Sequence, residues 1–266
     1  MTKNISSLTS ARCLRELIVK LAYSAGNKAA HLGGALSCID FISVVDNVFS
    51  LDNPLALSSL VLSKGHACLA LYALMIKNGI CSFEEISSTI EKDGSKFLGH
   101  PCRETSLGIS FSTGSLGNGL AHAVGVALHR KSISSDAPVF CILGDGECNE
   151  GIVWESFEFI SRMRLSNMYI FIDCNAWQQT QESLYLKDNY TSFYNRICSY
   201  DFNSFMIDGH DHSALKSTLV DSLLPTVIVA KTIKGKGVSF LEGNNDSHHM
   251  VLTNEAFDSA LSEVKS

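Results

Sequence analysis

Proline is scarce in this sequence, at 4 among 266 residues. No low-complexity stretch and no internal repeat accompanies it. A chain so poor in breakers offers no linker, so residues 1–266 read as a single domain. Positive charge is also short. Lys and Arg total 21 against 27 Asp and Glu, a formal net charge of −6, which excludes a basic face for nucleic acid. No uninterrupted apolar run reaches membrane-spanning length, so no membrane partner is expected. The N-terminus, MTKNISSLTSARCLRELIVKLAYSAG, lacks the charged start, apolar block and small-residue cleavage site of a secretion signal. Leu14, Leu17, Ile18 and Leu21 within it follow helical spacing instead. None of the 9 cysteines belongs to a C-x-x-C pair. Scattered singly, mostly in apolar contexts, they read as small buried thiols in a reducing compartment, which implies a cytoplasmic location.

Hydrophobic residues make up 45% of the chain, ample for a sizeable core. Helical spacing runs near 7–25, 35–49, 66–78, 115–131, 152–164, 212–223 and 253–264. Short runs rich in Val, Ile and Phe stand at LVLS (60–63), VFCIL (139–143), MYIFID (168–173), SFMID (204–208) and TVIVAK (226–231). They are nearly all-apolar rather than alternating, the pattern of strands covered on both faces. Strands alternating with helices predict an α/β fold, a doubly wound, mainly parallel sheet flanked by helices. In such sheets ligands bind beyond the carboxyl ends of the strands.

One of those ends carries GDGECNEGIVWE (144–155), which crowds Asp145, Glu147, Glu150 and Glu155 together. Like charges so close destabilise one another unless a cation intervenes. Gly144 and Gly146 allow a tight turn and a close backbone approach. The next strand ends in Asp173 and Asn175, one helix-plus-strand unit later. Neighbouring parallel strands would set Asp145 beside Asn175. Their hard oxygens suit Mg²⁺ or Ca²⁺, and a diphosphate could complete the shell against glycine amides.

This pairing resembles the GDG…N signature of thiamine-diphosphate enzymes. SKGHACLALYALMIKNG (63–79), LGHP (98–101), STGSLGNGLAHAVGVAL (112–128), DGHD (208–211) and KTIKGKGVSFLE (231–242) narrow the resemblance to the transketolases, in that family's order. The likeness covers about the whole chain and is to the diphosphate-binding, amino-terminal part of a transketolase. It implies that Asp145, Asn175 and the backbone carbonyl of Trp177 hold the metal. Gly114, Leu116, Gly144 and Gly146 would line the diphosphate and thiazolium. His66 would lie near the cofactor phosphate and substrate, His100 would face the first hydroxyls of the ketose, and His31 would stand in the substrate channel. The late histidine, which binds the diphosphate and the donor carbonyl region, aligns with His248, although the neighbouring His249 leaves that alignment open by one residue. Glu150 would lie near the subunit contact and link two cofactor sites. Glu147 and Glu155 read as ordinary helix-start charges. His122, His129, His210 and His212 read as structural or solvent-facing. The chain departs from the family at AHLGG (30–34) and at Ser247, where a Trp commonly precedes the late histidine, so its substrate channel is expected to differ locally.

The implied activity is that of a transketolase-type transferase in carbohydrate metabolism, which moves a two-carbon ketol unit from a ketose or its phosphate to an aldose. The implied cofactors are thiamine diphosphate and Mg²⁺ or Ca²⁺. The family's pyrimidine-binding and carboxyl-terminal domains are expected on a separate partner subunit, with two copies of each chain in a heterotetramer. Other readings are a thiamine-dependent carboligase subunit for a specialised sugar and a non-catalytic cofactor-binding subunit. A nicotinamide-binding Rossmann enzyme needs G-x-G-x-x-G after the first strand, and KGHACLA does not supply it.

Overall fold

The computed structural model describes residues 7–178, 181–183, 189–244 and 249–265. Its centre is a sheet of five strands, β1 (Leu60–Leu62), β2 (Val139–Gly144), β3 (Met168–Cys174), β6 (Asn203–Asp208) and β7 (Thr226–Lys231), in the order β1-β2-β3-β7-β6. All four pairings are parallel. A short antiparallel hairpin, β4 (Trp177–Gln178) with β5 (Gln181–Glu182), follows β3.

Each strand feeds two cores, because successive side chains point to opposite faces. Phe140 and Ile142 of β2, Tyr169 and Phe171 of β3, and Ile228 and Ala230 of β7 pack on one face. Their neighbours Cys141, Leu143, Ile170, Ile172, Val227 and Val229 pack on the other. Helices α1 (Ser7–Ser24), α2 (Leu32–Phe49), α4 (Cys68–Lys77) and α10 (Asn254–Lys265) cover the first face. Helices α6 (Asn118–Ser132), α7 (Gly151–Met163) and α8 (Tyr190–Ile197) cover the second. The α/β, doubly wound expectation therefore holds, and the all-apolar strands have the cause expected of them. Strand β6 differs. It lies at the sheet edge, and Met206 is 37% exposed.

Helix α2 has the length and apolar composition of a membrane span. It is nevertheless a core helix here, buried from Leu32 to Asp46, with Asp40 and Asp46 paired inside the protein. Three short helices lay below the reach of periodicity, namely α3 (Pro54–Leu57), α5 (Phe83–Thr89) and α8. Helix α9 (His212–Thr218) stops short of its expected end at 223. Helix α6 begins at Asn118 rather than 115, because Gly117 takes φ +80°. A Cβ there would meet Ile152 at 2.6 Å, so the turn that opens α6 lies hard against α7.

Candidate functional site

The carboxyl ends of β1, β2, β3 and β7 open into a cavity of about 640 Å³. Its walls include His31, His66, His100, Gly114, Leu116, Gly144, Asp145, Gly146, Glu150, Asn175 and Trp177. Apart from His248, which lies outside the described residues, every residue proposed from the sequence is brought to this one place. Lys64, Glu147, Gln178 and Lys234 join them.

At the floor, β2 and β3 run in register with Gly144 opposite Asp173. Asp145 therefore stands beside the turn after β3, as the spacing predicted. Its Oδ2 accepts the Ala176 N–H at 2.8 Å and its Oδ1 the Gly146 N–H at 2.8 Å. Ala176 takes φ +64°, a left-handed conformation that costs a non-glycine residue about 1–2 kcal/mol. The strained turn delivers that N–H to Asp145. Asn175 Oδ1 accepts the Trp177 N–H at 3.0 Å.

Asp145 is buried, and its carboxyl is pushed up to about 7, first by burial and then by the Asp173 charge. Two backbone donors do not offset that cost. The residues present thus fit a cation. Asp145 is buried with no ion pair of its own among the described residues, and Asn175 and Trp177 line the same wall, from which an amide oxygen and a main-chain carbonyl would complete a hard-oxygen set of the kind that takes Mg²⁺ or Ca²⁺.

Asp173 itself is satisfied. Its carboxylate accepts from Lys64 Nζ, from Thr232 Oγ1, from Ser37 Oγ at 2.5 Å and from Asn175 Nδ2 at 3.4 Å. Lys64 and Asp173 are 1% and 0% exposed, so this is a buried ion pair beneath the floor. Because an ionised carboxylate only accepts, it draws the Asn175 amide nitrogen toward itself and leaves the oxygen on the other side. A second ammonium, Lys234, lies buried in the wall with its nitrogen 5.6 Å from the Trp177 ring centre. Burial and the nearby Lys64 charge lower it to about 8. Lys64 and Lys234 escaped the sequence reading, and Asp173 was read only as part of a strand end. The signal for Lys64 was its place in SKGH.

Glu147 corrects an expectation. It is not a solvated helix-start charge but is 1% exposed. Its Oε1 accepts from Ser63 Oγ and the Gly117 N–H, both at 2.8 Å, and its Oε2 accepts the Gly144 N–H at 2.9 Å. It ties together β1, the turn before α6 and the end of β2. Burial raises its pKa in spite of these donors. Glu155 is exposed on α7, as expected, and Glu150 is exposed at the start of that helix.

Three of the expected histidines meet on the opposite wall. The His31 ring centre lies 5.9 Å from His66 and 5.5 Å from His100. His249 joins them at 4.5 Å from His31, held there by the antiparallel bridge between Ala30 and Met250. His100 is lowered by partial burial, with Glu91 opposing and His249 adding to the shift. The remaining histidines lie elsewhere. His122 stacks on Phe111 with centres 4.6 Å apart, His129 is exposed, and His210 and His212 both bond to Asp40.

Known proteins share this sequence pattern and fold. Residues 10–263 match the family described as "Transketolase, thiamine diphosphate binding domain". The chain is 32% identical over 264 residues to one subunit of the apulose-4-phosphate transketolase of Phocaeicola vulgatus, covering 94% of this chain and 90% of that one. It is 34% identical over 250 residues to "6-deoxy-6-sulfo-D-fructose transketolase subunit SqwG" of a Clostridium species, covering 88% of each. The crystal structure of transketolase from Campylobacter jejuni superposes with a TM-score of 0.83 at 29% identity over 97% of this chain. The chain spans only 42% of that longer protein. Transketolase from Leishmania mexicana, at 24% identity, shares the fold with a TM-score of 0.87. The chain belongs to the transketolase family, whose thiamine-diphosphate-binding domain matches it from residue 10 to residue 263.

Proposed function

We propose that this chain is the amino-terminal, diphosphate-binding subunit of a two-chain transketolase, which transfers a two-carbon ketol unit from a ketose or ketose phosphate to an aldose. The observation that carries the reading is the one cavity in which a buried carboxylate, a buried ammonium and a group of histidines converge. The two relatives named as subunits support a partner chain, because they are matched over nearly their whole lengths. That partner carries the pyrimidine-binding domain, and two copies of each chain assemble. The names of the same relatives favour a specialised ketose as donor. All 9 cysteines are free thiols, which supports the cytoplasm.

Thiamine diphosphate, when bound, supplies the thiazolium that stabilises a carbanion. The residues of this chain do the rest. Asp145, Asn175 and the Trp177 carbonyl hold Mg²⁺, with Ca²⁺ as the other cation that suits these donors. Lys234 and the backbone at Gly114, Leu116, Gly144 and Gly146 receive the diphosphate, with His66 beside it. His31 and His100 face the donor hydroxyls, and a His100 held below its ordinary pKa is neutral at neutral pH and ready to accept a proton. His249 takes the part of the late histidine. Glu150 is left at the rim for the subunit contact.

The test is to purify the chain alone and with its candidate partner, then assay ketol transfer from a ketose phosphate. Transfer is expected only from the pair, since positioning two groups together is worth roughly 7–11 kcal/mol. Within the pair, His31→Ala and His100→Ala are expected to keep cofactor affinity and lose turnover by about 100-fold. Robust transfer by the chain alone, or loss of cofactor affinity in both histidine variants, overturns the assignment.

A further inference from the structure

The DGHD motif (208–211) lies outside the cavity, and its histidine touches none of the groups assigned to the reaction. Asp208 and Asp211 have local duties. Asp208 Oδ1 accepts the His210 N–H at 2.9 Å, and Asp211 caps α9. Gly209 lets the end of β6 approach the segment after β7, since a Cβ there would meet Thr232 at 2.4 Å. His210 is thereby held against residues 232–234. Its Nε2 accepts the Ile233 N–H at 2.8 Å. A backbone N–H can only donate, so Nε2 carries no proton and the ring proton sits on Nδ1. Nδ1 lies 2.7 Å from Asp40 Oδ2 and donates to it. Asp40 is fixed in turn by Arg15 and by His212 Nε2 at 2.8 Å.

Ile233 is the residue between Thr232, whose side chain binds Asp173, and Lys234, whose side chain enters the cavity. The Ile233 side chain is 37% exposed, so packing does little to hold it. Its N–H bond to His210 is the side-chain anchor of the main chain just before Lys234, beside the Thr232 N–H bond to the Cys174 carbonyl at 3.2 Å, while the Gly243 N–H holds the Lys234 carbonyl at 2.9 Å and the Gly235 N–H reaches Gly33 at 3.0 Å. We infer that His210 is a positioning residue for the cofactor. Through the Ile233 N–H it fixes the main chain from which Lys234 reaches the diphosphate. Asp40 acts behind it by holding the proton on Nδ1, which keeps Nε2 an acceptor.

The inference rests on Lys234 facing the diphosphate, as in the proposed function, and two variants separate its parts. His210→Gln places an amide oxygen near the Nε2 position, so it keeps an acceptor for Ile233 and loses the donor to Asp40. His210→Asn places its amide near Nδ1, so it keeps the donor to Asp40 and loses the acceptor for Ile233. Affinity for thiamine diphosphate with Mg²⁺ is measured by calorimetry on the two-chain assembly, and the melting temperature is measured without cofactor. His210→Asn is expected to weaken affinity by about fivefold, the equivalent of one lost hydrogen bond, while His210→Gln stays within about twofold of wild type. Melting should show the opposite order, because the Asp40 bond is the buried one. Lys234→Met combined with His210→Asn should bind no more weakly than Lys234→Met alone.

Equal affinity losses in the two His210 variants, a larger loss in His210→Gln, or additive losses in the double variant overturn the inference. Should His210→Asn fail to fold, His210→Gln still decides, since a loss beyond about twofold there contradicts the assignment. A wild-type assembly that binds no thiamine diphosphate overturns the proposed function itself, a result distinct from any of these.

Discussion

Two buried carboxylates on neighbouring elements of this molecule have opposite fates. Asp40, in the middle of α2, receives Arg15, His210 and His212, and these partners hold it well below the usual carboxylate range although burial pushes the other way. Asp145, at the end of β2, receives two backbone N–H groups and a second carboxylate as neighbour, and is pushed up to about 7. Burial alone does not distinguish them, since they are 2% and 3% exposed. The difference is charge compensation. The Asp40 cluster is complete within the chain and so is part of the structure. Asp145 has no ion pair of its own among the described residues, although Lys64 and Lys234 lie close enough to act on it, and it faces the cavity.

The sharpest way to break this comparison is to remove each carboxylate. Asp145→Ala takes away the proposed metal ligand and, with it, a buried carboxyl that has no ion pair of its own among the described residues. Metal-dependent cofactor affinity should fall by roughly 100-fold or more, the scale of about 3 kcal/mol for a broken buried pair. The cofactor-free chain should melt no lower than wild type. Calorimetry and thermal melting read the two arms, and a large fall in cofactor-free stability would make Asp145 a structural residue after all. Asp40→Asn should do the reverse. It leaves Arg15 without its buried partner and should cost about 3 kcal/mol of stability, read from urea denaturation with and without cofactor.

Acidity separates the two sites in sign. Asp40 has a folded pKa below its unfolded one, so its contribution is present above the ordinary carboxylate pKa and is lost as pH falls toward the folded value. Asp145 has a folded pKa near 7, above its unfolded one. Without metal, the folded state keeps a proton that the unfolded state has released, so its contribution declines as pH rises from about 4 to about 7. Mg²⁺ must displace that proton, so its affinity should climb over the same window and level off above it. Calorimetry in buffers of different ionisation enthalpy detects the released proton. Asp145→Asn should abolish the release.

The smallest contrast lies within one motif. Glu147→Gln leaves a neutral amide facing three donors, of which only its oxygen can accept, and should cost about 1–3 kcal/mol. Glu155→Gln, at an exposed position of α7, should leave the melting temperature where it is. Equal effects would deny that Glu147 ties β1 to β2.

The same contrast explains what was legible in the sequence. That Asp145 and Asn175 come to one place was legible because each sits at the end of an apolar run, and parallel strands one βα unit apart bring such ends together. Glu147 was misread because only its local position, at the start of a helix, was visible. The turn that carries Gly117 and the hydroxyl of Ser63 reaches it from 30 and 84 residues away. The three short helices were missed because four to eight residues show too little of a 3.6-residue period. The late histidine was left open between two neighbours, and the pairing of Ala30 with Met250 is what brings His249 to His31.

By itself, then, the sequence determined the architecture and which strand ends gather at the cavity. Both depend on local signals, namely strand-length apolar runs, helical spacing, glycine turns and blocks of motif read in order. Only the tertiary structure decided which charges are compensated. Lys64 finds Asp173 across 109 residues, and His212 finds Asp40 across 172. Whether a buried carboxylate is structural or awaits a cation depends on such distant partners and on the water they exclude, and no stretch of sequence contains both halves of that balance.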